Sequence, residues 1–222
     1  MCNLYRLHAG NAAIAQVFDA AISSSTDRSS ARPGIAGVDS NRGDEVYPGY
    51  PGLVVAHGLV RAMTWGFPLV RKGRQGQPLK PKPVTNARAD KLQTVFWKAS
   101  FAAGRCLIPV SAWAEAEGAA GRMTRTWYAL PGDTPFAVAG LWRRTDTWGD
   151  VFAMVMVDAN PQMAAVHDRM PVVLTPDHWA AWLGRDNDAA FALCRTWQGD
   201  LSVQRTPERW AGGAKDQHDL FG

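Results

Sequence analysis

Cys2 stands directly behind Met1. A side chain as small as cysteine permits trimming of Met1, and the chain would then start with an amine and a thiol on adjacent carbons. A thiol alone adds reversibly to an aldehyde. A 1,2-aminothiol first forms an imine and then closes sulfur onto the same carbon, leaving a five-membered thiazolidine. The pair therefore points to an aldehyde or other carbonyl as target, with the thiolate as the nucleophilic form, favoured by nearby positive charge. Taken alone, a cysteine at position 2 is equally an ordinary residue of a short N-terminal strand, so the chemistry must be carried by other residues as well.

Four segments supply candidates: MCNLYRL at the start, TNARAD at 85–90, RCLIPVSAWAEAE at 105–117 and AAVHDRMPVVL at 164–174. Each sets a polar residue beside an apolar run, and strand ends and adjoining loops are where a scaffold presents catalytic groups. Asn86 and Arg88 precede a helix, Glu115 lies just past a strand, and His167 with Arg169 lies just ahead of MPVVL. Each also has an ordinary role open to it. Glu115 and Glu117 suit an exposed turn, Asn86 a turn cap, Arg88 an ion pair with Asp90, and His167-Asp168-Arg169 a surface loop. The three cysteines, Cys2, Cys106 and Cys194, are odd in number and widely spaced, which argues against a disulfide framework. His8, His57, His178 and His218 form no ligand spacing with them, so no metal and no cofactor is expected.

The elements that must position these groups follow from periodicity. Residues 11–22 place Ile14, Val17, Phe18, Ala21 and Ile22 on one face of a helix. From Ser23 to Gly52 the chain reads as a long irregular loop before the strand-like LVVAHG. The run RKGRQGQPLKPKP at 71–83 carries five Lys or Arg and no acid, and its Gly and Pro exclude a regular helix. It reads as a basic loop, either solvated or in contact with phosphate. Asp90 caps a second helix with Leu92, Val95, Phe96 and Ala99 on one face, ended by Gly104. CLIPVSAW, PFAVAGLW, VFAMVMVD and MPVVLT read as buried strands, and helices resume near Asp177 and from Asn187 through Cys194. With 222 residues, 46% of them apolar, the chain can bury one good core. No repeat and no steady βαβ alternation is visible, so a single α+β domain spanning 1–222, built on a largely antiparallel and partly closed sheet with peripheral helices, is expected. Lys and Arg outnumber Asp and Glu by 24 to 20, a modest excess that suits an anionic partner. MCNLYRLHAG lacks the apolar stretch of a signal peptide and no run is long enough to span a membrane, so a cytoplasmic protein is expected. Some of the ten tryptophans offer stacking surfaces for bases.

Cys2, WGF at 65–67, NARAD, FWKASFAAGRCLIP at 96–109, AGLW at 139–142 and HDRMPVVL at 167–174, in this order and spacing, resemble the SRAP family. These are the SOS-response-associated peptidases, also described as abasic-site processing proteins. The resemblance is strongest over 1–183 and weak after about residue 200. It implies a β-barrel-like core and a positively charged groove for single-stranded DNA. By the same resemblance Cys2, freed of Met1 by cleavage in cis, cross-links to the ring-opened aldehyde of an abasic site during the DNA damage response. Glu115 corresponds to the acid/base carboxylate, His167 to the imidazole that assists ring opening and reversal, and Asn86 to the group that positions the sugar or the N-terminus. Arg88 and Arg169 offer planar forks for the phosphates flanking the lesion, with Arg71, Lys72 and Arg74 of the basic loop as further contacts. A monomer, associated with the nucleoid when bound to DNA, is implied.

The pattern departs from the family at several places. Ala114 and Ala116 flank Glu115 where aromatics are common; Pro68, Leu69 and Val70 stand where tryptophans often follow the WG segment; DEVYPGYPG replaces an asparagine-x-alanine-proline stretch; and Leu4 replaces an arginine. Two other functions compete. One is an N-terminal-nucleophile hydrolase, in which the Cys2 thiol attacks an amide with its own amine as base. The other is a noncatalytic single-stranded nucleic-acid binding module using the basic loop and tryptophans.

Overall fold

The computed structural model describes residues 2–22, 44–132 and 136–210. Met1, most of the expected loop (23–43) and the tail that holds His218 lie outside the described residues. Along the chain come β1 (Tyr5–Arg6), α1 (Asn11–Val17), β2 (Ala21–Ile22), β3 (Glu45–Val46), β4 (Pro51–Ala56) and β5 (Leu59–Trp65). They are followed by β6 (Phe67–Lys72), β7 (Pro78–Val84), β8 (Asn86–Arg88), α2 (Lys98–Ala103), β9 (Arg105–Val110), β10 (Ala112–Glu117) and β11 (Thr124–Ala129). The remainder is β12 (Phe136–Thr145), β13 (Gly149–Asp158), α3 (Pro161–Ala164), β14 (Arg169–Pro171), β15 (Val173–Leu174), α4 (Pro176–Leu183), α5 (Asn187–Ala192) and β16 (Ser202–Arg209).

The expected α+β fold, with a largely antiparallel, barrel-like core and peripheral helices, is the one the chain adopts. Strands β13, β12, β9, β4 and β5 follow one another by antiparallel pairing. A parallel contact of β5 with β13, Thr64 opposite Val151 and Trp65 opposite Phe152, then closes the ring. Closure leaves these strands no free edge. Their sequences are continuous apolar runs because both faces are covered, inside by the barrel core and outside by helices or the second sheet. The turn between β4 and β5 falls at His57 and Gly58, whose φ values of 53° and 70° are both positive, as primed hairpin turns require. Arg105, at the start of β9, is buried and donates to the Trp182 carbonyl at 2.6 Å, the Asn187 side chain at 2.6 Å and the carbonyls of Phe101 and Gly184. It ties α2, α4 and α5 to the barrel.

A second, antiparallel sheet runs β16-β11-β10-β1-β3. Its inner face packs Tyr5, Trp113 and Tyr128 onto the barrel core, with the Trp113 and Tyr128 rings stacked 5.8 Å apart. Gly52 permits this contact, since a Cβ there would stand 2.1 Å from the Tyr5 hydroxyl. The outer face carries a separate small cluster of Leu4, Ala112, Ala114 and Trp127, against which Tyr47 and Trp210 pack.

Three elements differ from the sequence expectation. The first helix stops at Val17; Asp19 takes a left-handed φ of 45°, and the chain then pairs as β2 alongside β5. The second helix is broken into a 3₁₀ turn, Ala89–Lys91, and α2, with Val95 between them 99% exposed. There the Thr94 hydroxyl donates to the Lys91 carbonyl at 2.7 Å, taking up a backbone group that a continuous helix would use. The basic run is a β6–β7 hairpin rather than a loop. β5 leaves the edge of β13 after Trp65 and β8 rejoins the same edge at Asn86 opposite Met154, so the hairpin is an excursion between two pieces of one wall. Prolines 78, 81 and 83 are tolerated because β7 pairs only with β6 and its other edge needs no backbone donor.

Gly104 ends α2 as expected, and it also meets β12 backbone to backbone. Its carbonyl accepts from Trp142 N at 2.7 Å, and a Cβ on it would stand 2.2 Å from the Trp142 carbonyl oxygen. Gly104→Ala is expected to destabilise the protein by about 1–3 kcal/mol, the usual cost of overpacking. Urea unfolding measures this, and an unchanged midpoint would contradict the close approach.

Candidate functional site

The first residues are placed by β10. Tyr5 and Arg6 pair with Trp113 and Ala112, and the Leu4 carbonyl accepts from Ala114 N at 2.9 Å. Continued toward the chain start, this antiparallel course carries Cys2 to the Glu115 end of β10. Cys2 is fully buried and its thiol donates to the Leu4 carbonyl at 3.6 Å. From the other side, Asn86 of β8 donates through Nδ2 to the Cys2 carbonyl at 2.8 Å and to Thr85 Oγ1 at 2.8 Å. The Thr85 hydroxyl donates in turn to Asn3 Oδ1 at 3.3 Å. Asn86 Oδ1 is buried and has no hydrogen-bond partner among the described residues, so it can accept from an amine or hydroxyl brought into the site.

Glu115 does not lie past a strand; it sits within β10 opposite Thr126 and is 2% exposed. Strand alternation puts it on the inner face with Trp113, which is why it is buried while Glu117, at the strand end, pairs with Arg205 at 2.9 Å. Burial pushes the Glu115 carboxyl up to about 7, and the positive amino terminus of the chain acts in the opposite direction. Burial likewise drives the Cys2 thiol well above its ordinary range, and the charge of Glu115 adds to this. The thiol is therefore neutral at physiological pH, whereas the sequence had suggested a thiolate favoured by positive charge.

His167 follows α3, whose N-terminus is capped by the buried Asn160 side chain accepting from Met163 N at 3.1 Å. The His167 amide donates to the Met163 carbonyl at 3.0 Å, and ring Nδ1 stands 2.9 Å from Arg169 N. The same Nδ1 lies 3.1 Å from the Arg169 carbonyl oxygen and 3.3 Å from the Asp168 carboxylate, so its surroundings suit either tautomer of the neutral ring. Burial, and then the positive amino terminus, hold the imidazole below its ordinary 6.5. Cys2, Asn86, Glu115 and His167 thus converge on the start of the chain from the N-terminal strand, β8, β10 and the α3–β14 link.

The candidate phosphate ligands are arranged differently. Arg88 grips Asp90 in two-point fashion, at 3.0 and 2.8 Å, and is 48% exposed. Arg169 contacts Asp158 at 2.5 Å across the β13–β14 register. They stand on strands that flank the end of β13, Arg88 opposite Met156 on one side and Arg169 opposite Asp158 on the other. Arg71 lines a groove of about 640 Å³ between the β6–β7 hairpin and the second sheet, whereas Lys72 and Arg74 are exposed on the hairpin outside that lining. Lys80, Lys82, Tyr47, Asn3 and Trp210 also line it. The sequence singled out none of these five as a site residue. Lys80 and Lys82 belong to the basic run at 71–83, and as residues two apart within a strand they share a face. Among the described residues no helix is long and apolar enough to cross a membrane, and no group of three or more His, Cys, Asp or Glu side chains is gathered as a metal ion would need.

The family model described as SOS response associated peptidase (SRAP) matches residues 1–208. Two crystal structures of similar fold are a protein from Bordetella bronchiseptica, 20% identical with a TM-score of 0.72 over 92% of this chain and 99% of that one, and a protein from Bacteroides thetaiotaomicron, 16% identical with a TM-score of 0.70 over 92% and 91%. A phage-related protein from Bordetella bronchiseptica is 19% identical with a TM-score of 0.63 over 92% and 94%. No curated protein matches the chain.

The Glu115 carboxyl makes stability depend on pH with a defined sign. Its folded pKa of about 7 lies above the ordinary 4.5, so from pH 4.5 to 7 the unfolded chain gives up this proton first. Stability falls as pH rises through that window, by on the order of 3 kcal/mol in full above pH 7. Glu115→Gln removes the dependence. Urea unfolding at pH 5 and pH 8 is expected to show the variant gaining on the unsubstituted protein at the higher pH. A difference that does not change with pH would mean that the carboxyl titrates in its ordinary range.

Proposed function

The chain belongs to the SOS response associated peptidase (SRAP) family, and we propose that it binds single-stranded DNA and forms a covalent thiazolidine link between Cys2, freed of Met1, and the aldehyde of an abasic site. The observation that carries this reading is the Asn86 hydrogen bond to the Cys2 carbonyl beside a buried carboxyl with a pKa of about 7. That arrangement holds the first peptide unit still and places a group able both to give and to take a proton at neutral pH next to it.

In the proposed reaction His167 exchanges a proton with the sugar ring oxygen as the abasic deoxyribose opens to its aldehyde. The Cys2 amine then adds to the aldehyde carbon to give a hemiaminal, with Asn86 Oδ1 accepting an amine N–H. Glu115 in its acid form protonates the hemiaminal hydroxyl, which leaves as water, and the imine forms. Sγ adds to the imine carbon while the thiol proton passes to the nitrogen, and the ring closes. Amine, thiol and aldehyde become thiazolidine and one water, with no change of oxidation state. A neutral thiol suits this order, because sulfur enters last and attacks an activated carbon. The cleavage in the family's description is read here as removal of Met1 by the chain itself.

Arg88 and Arg169 hold the strand on either side of the lesion by trading a carboxylate for a phosphate. For Arg88 the exchange costs little, since its ion pair with Asp90 is exposed and screened by water.

Intact-mass measurement with a single-stranded oligonucleotide carrying one abasic site tests the chemistry. A protein lacking Met1 is expected to gain the oligonucleotide mass less one water, Cys2→Ala is expected to gain nothing, and Glu115→Gln should slow the gain about 10²–10⁴-fold. A Met1-free protein that forms no adduct overturns the proposal. Arg88→Ala is expected to weaken binding across all sequences and to make log Kd against log salt shallower by about one phosphate contact; unchanged affinity and slope would remove Arg88 from the DNA contact.

A further inference from the structure

The groove of about 640 Å³ has two unlike walls. On the hairpin side Arg71, Lys80 and Lys82 line it; on the sheet side stand Tyr47 and Trp210, and Asn3, the neighbour of Cys2, lies at the junction. Among the described residues none of those lining it is acidic. Cations facing aromatic planes across a groove of this size match a nucleotide, with its phosphate on one wall and its base on the other.

The aromatic wall is fixed in place. Tyr47 donates its hydroxyl to Glu45 at 2.5 Å and accepts from Arg125 at 3.2 Å, which orients the ring. Trp210 donates its backbone N–H to the Met123 carbonyl at 2.9 Å, and its half-buried ring packs on the cluster of Leu4, Ala112, Ala114 and Trp127. In that cluster Ala114, directly before Glu115, lies opposite Trp127 of β11. Trp210 lies two residues beyond the family match, which ends at 208.

We propose that Trp210, backed by Tyr47, is the stacking platform for the unpaired base next to the lesion, with Arg71, Lys80 and Lys82 on its phosphates, which rests on the reading of the chain as a binder of single-stranded DNA. Trp210 is here a positioning residue: it sets the register of the strand so that the abasic sugar meets Cys2 two residues from Leu4.

The test uses the full-length protein and a single-stranded oligonucleotide in which 2-aminopurine adjoins a tetrahydrofuran abasic analogue, which has no aldehyde and cannot cross-link. Binding to the unsubstituted protein is expected to change 2-aminopurine fluorescence as the base leaves its neighbours and stacks on indole. Trp210→Ala should lose that signal and about 5- to 150-fold in affinity, the range that base–aromatic stacking supplies. Trp210→Leu, which keeps apolar packing on the cluster but has no aromatic face, should behave like the alanine variant, and Trp210→Phe should retain most of both readouts. Trp210→Leu with unchanged affinity and signal overturns the proposal. No binding by the unsubstituted protein overturns the nucleic-acid reading and the platform with it. A Trp210-dependent signal in a protein that makes no adduct on an aldehyde-bearing oligonucleotide leaves the platform standing and removes the cross-link chemistry alone.

Discussion

Extended backbone at the start of the chain is held between two strands, by the Ala114 amide on one side and the Asn86 side chain on the other. Terminal residues ordinarily fray, because few contacts offset the entropy of ordering them. Here the cost is met by β-pairing to β10 and β3, by burial of Tyr5 against Trp65, and by the Asn86 bond to the Cys2 carbonyl. Everything else in the site depends on that pinning. It brings Glu115 and His167 within electrostatic reach of the chain's amino terminus, and it sets Asn3 and Leu4 at the edge of the groove.

Burial then governs the protonation of the site more than any ion pair. Burial raises the pKa of both the Cys2 thiol and the Glu115 carboxyl, and the charge of Glu115 raises the thiol further. The positive amino terminus pulls the Glu115 carboxyl back down through its charge and a hydrogen bond, which leaves that group close to half ionised at neutral pH. The arginines lie farther out, on strands flanking the end of β13, and keep their charge for the solvent side.

Much of this was legible in the sequence. The barrel strands announced themselves as continuous apolar runs because both their faces are covered, and Gly104 marked a helix end. The failures have physical causes. Thr94 and Asp19 each redirect the backbone locally, which apolar periodicity does not register. Glu115 was expected just past a strand because the apolar run CLIPVSAW ends at Trp113, yet β10 runs on to Glu117 and its alternation turns Glu115 inward. The basic run looked like a loop because its prolines forbid a central strand, and a two-stranded ribbon escapes that prohibition. Tyr47 and Trp210 could not be linked to the groove from sequence, since they are far apart in the chain and meet only through packing on Leu4 and Trp127.

The hairpin has one more consequence. Because β5 and β8 lie along the same edge of β13, the barrel wall is in effect a single stave with a splice in it, joined across Gly66 and Thr85 by their own bonds to Phe152 and Met154. The root of the inserted ribbon is built into the core through Phe67, buried against Trp97, while its outer part from Leu69 to Lys82 pairs only within itself. Changes of length or charge confined to that outer part leave the β13 edge and its register untouched, so the ribbon can vary where the stave cannot.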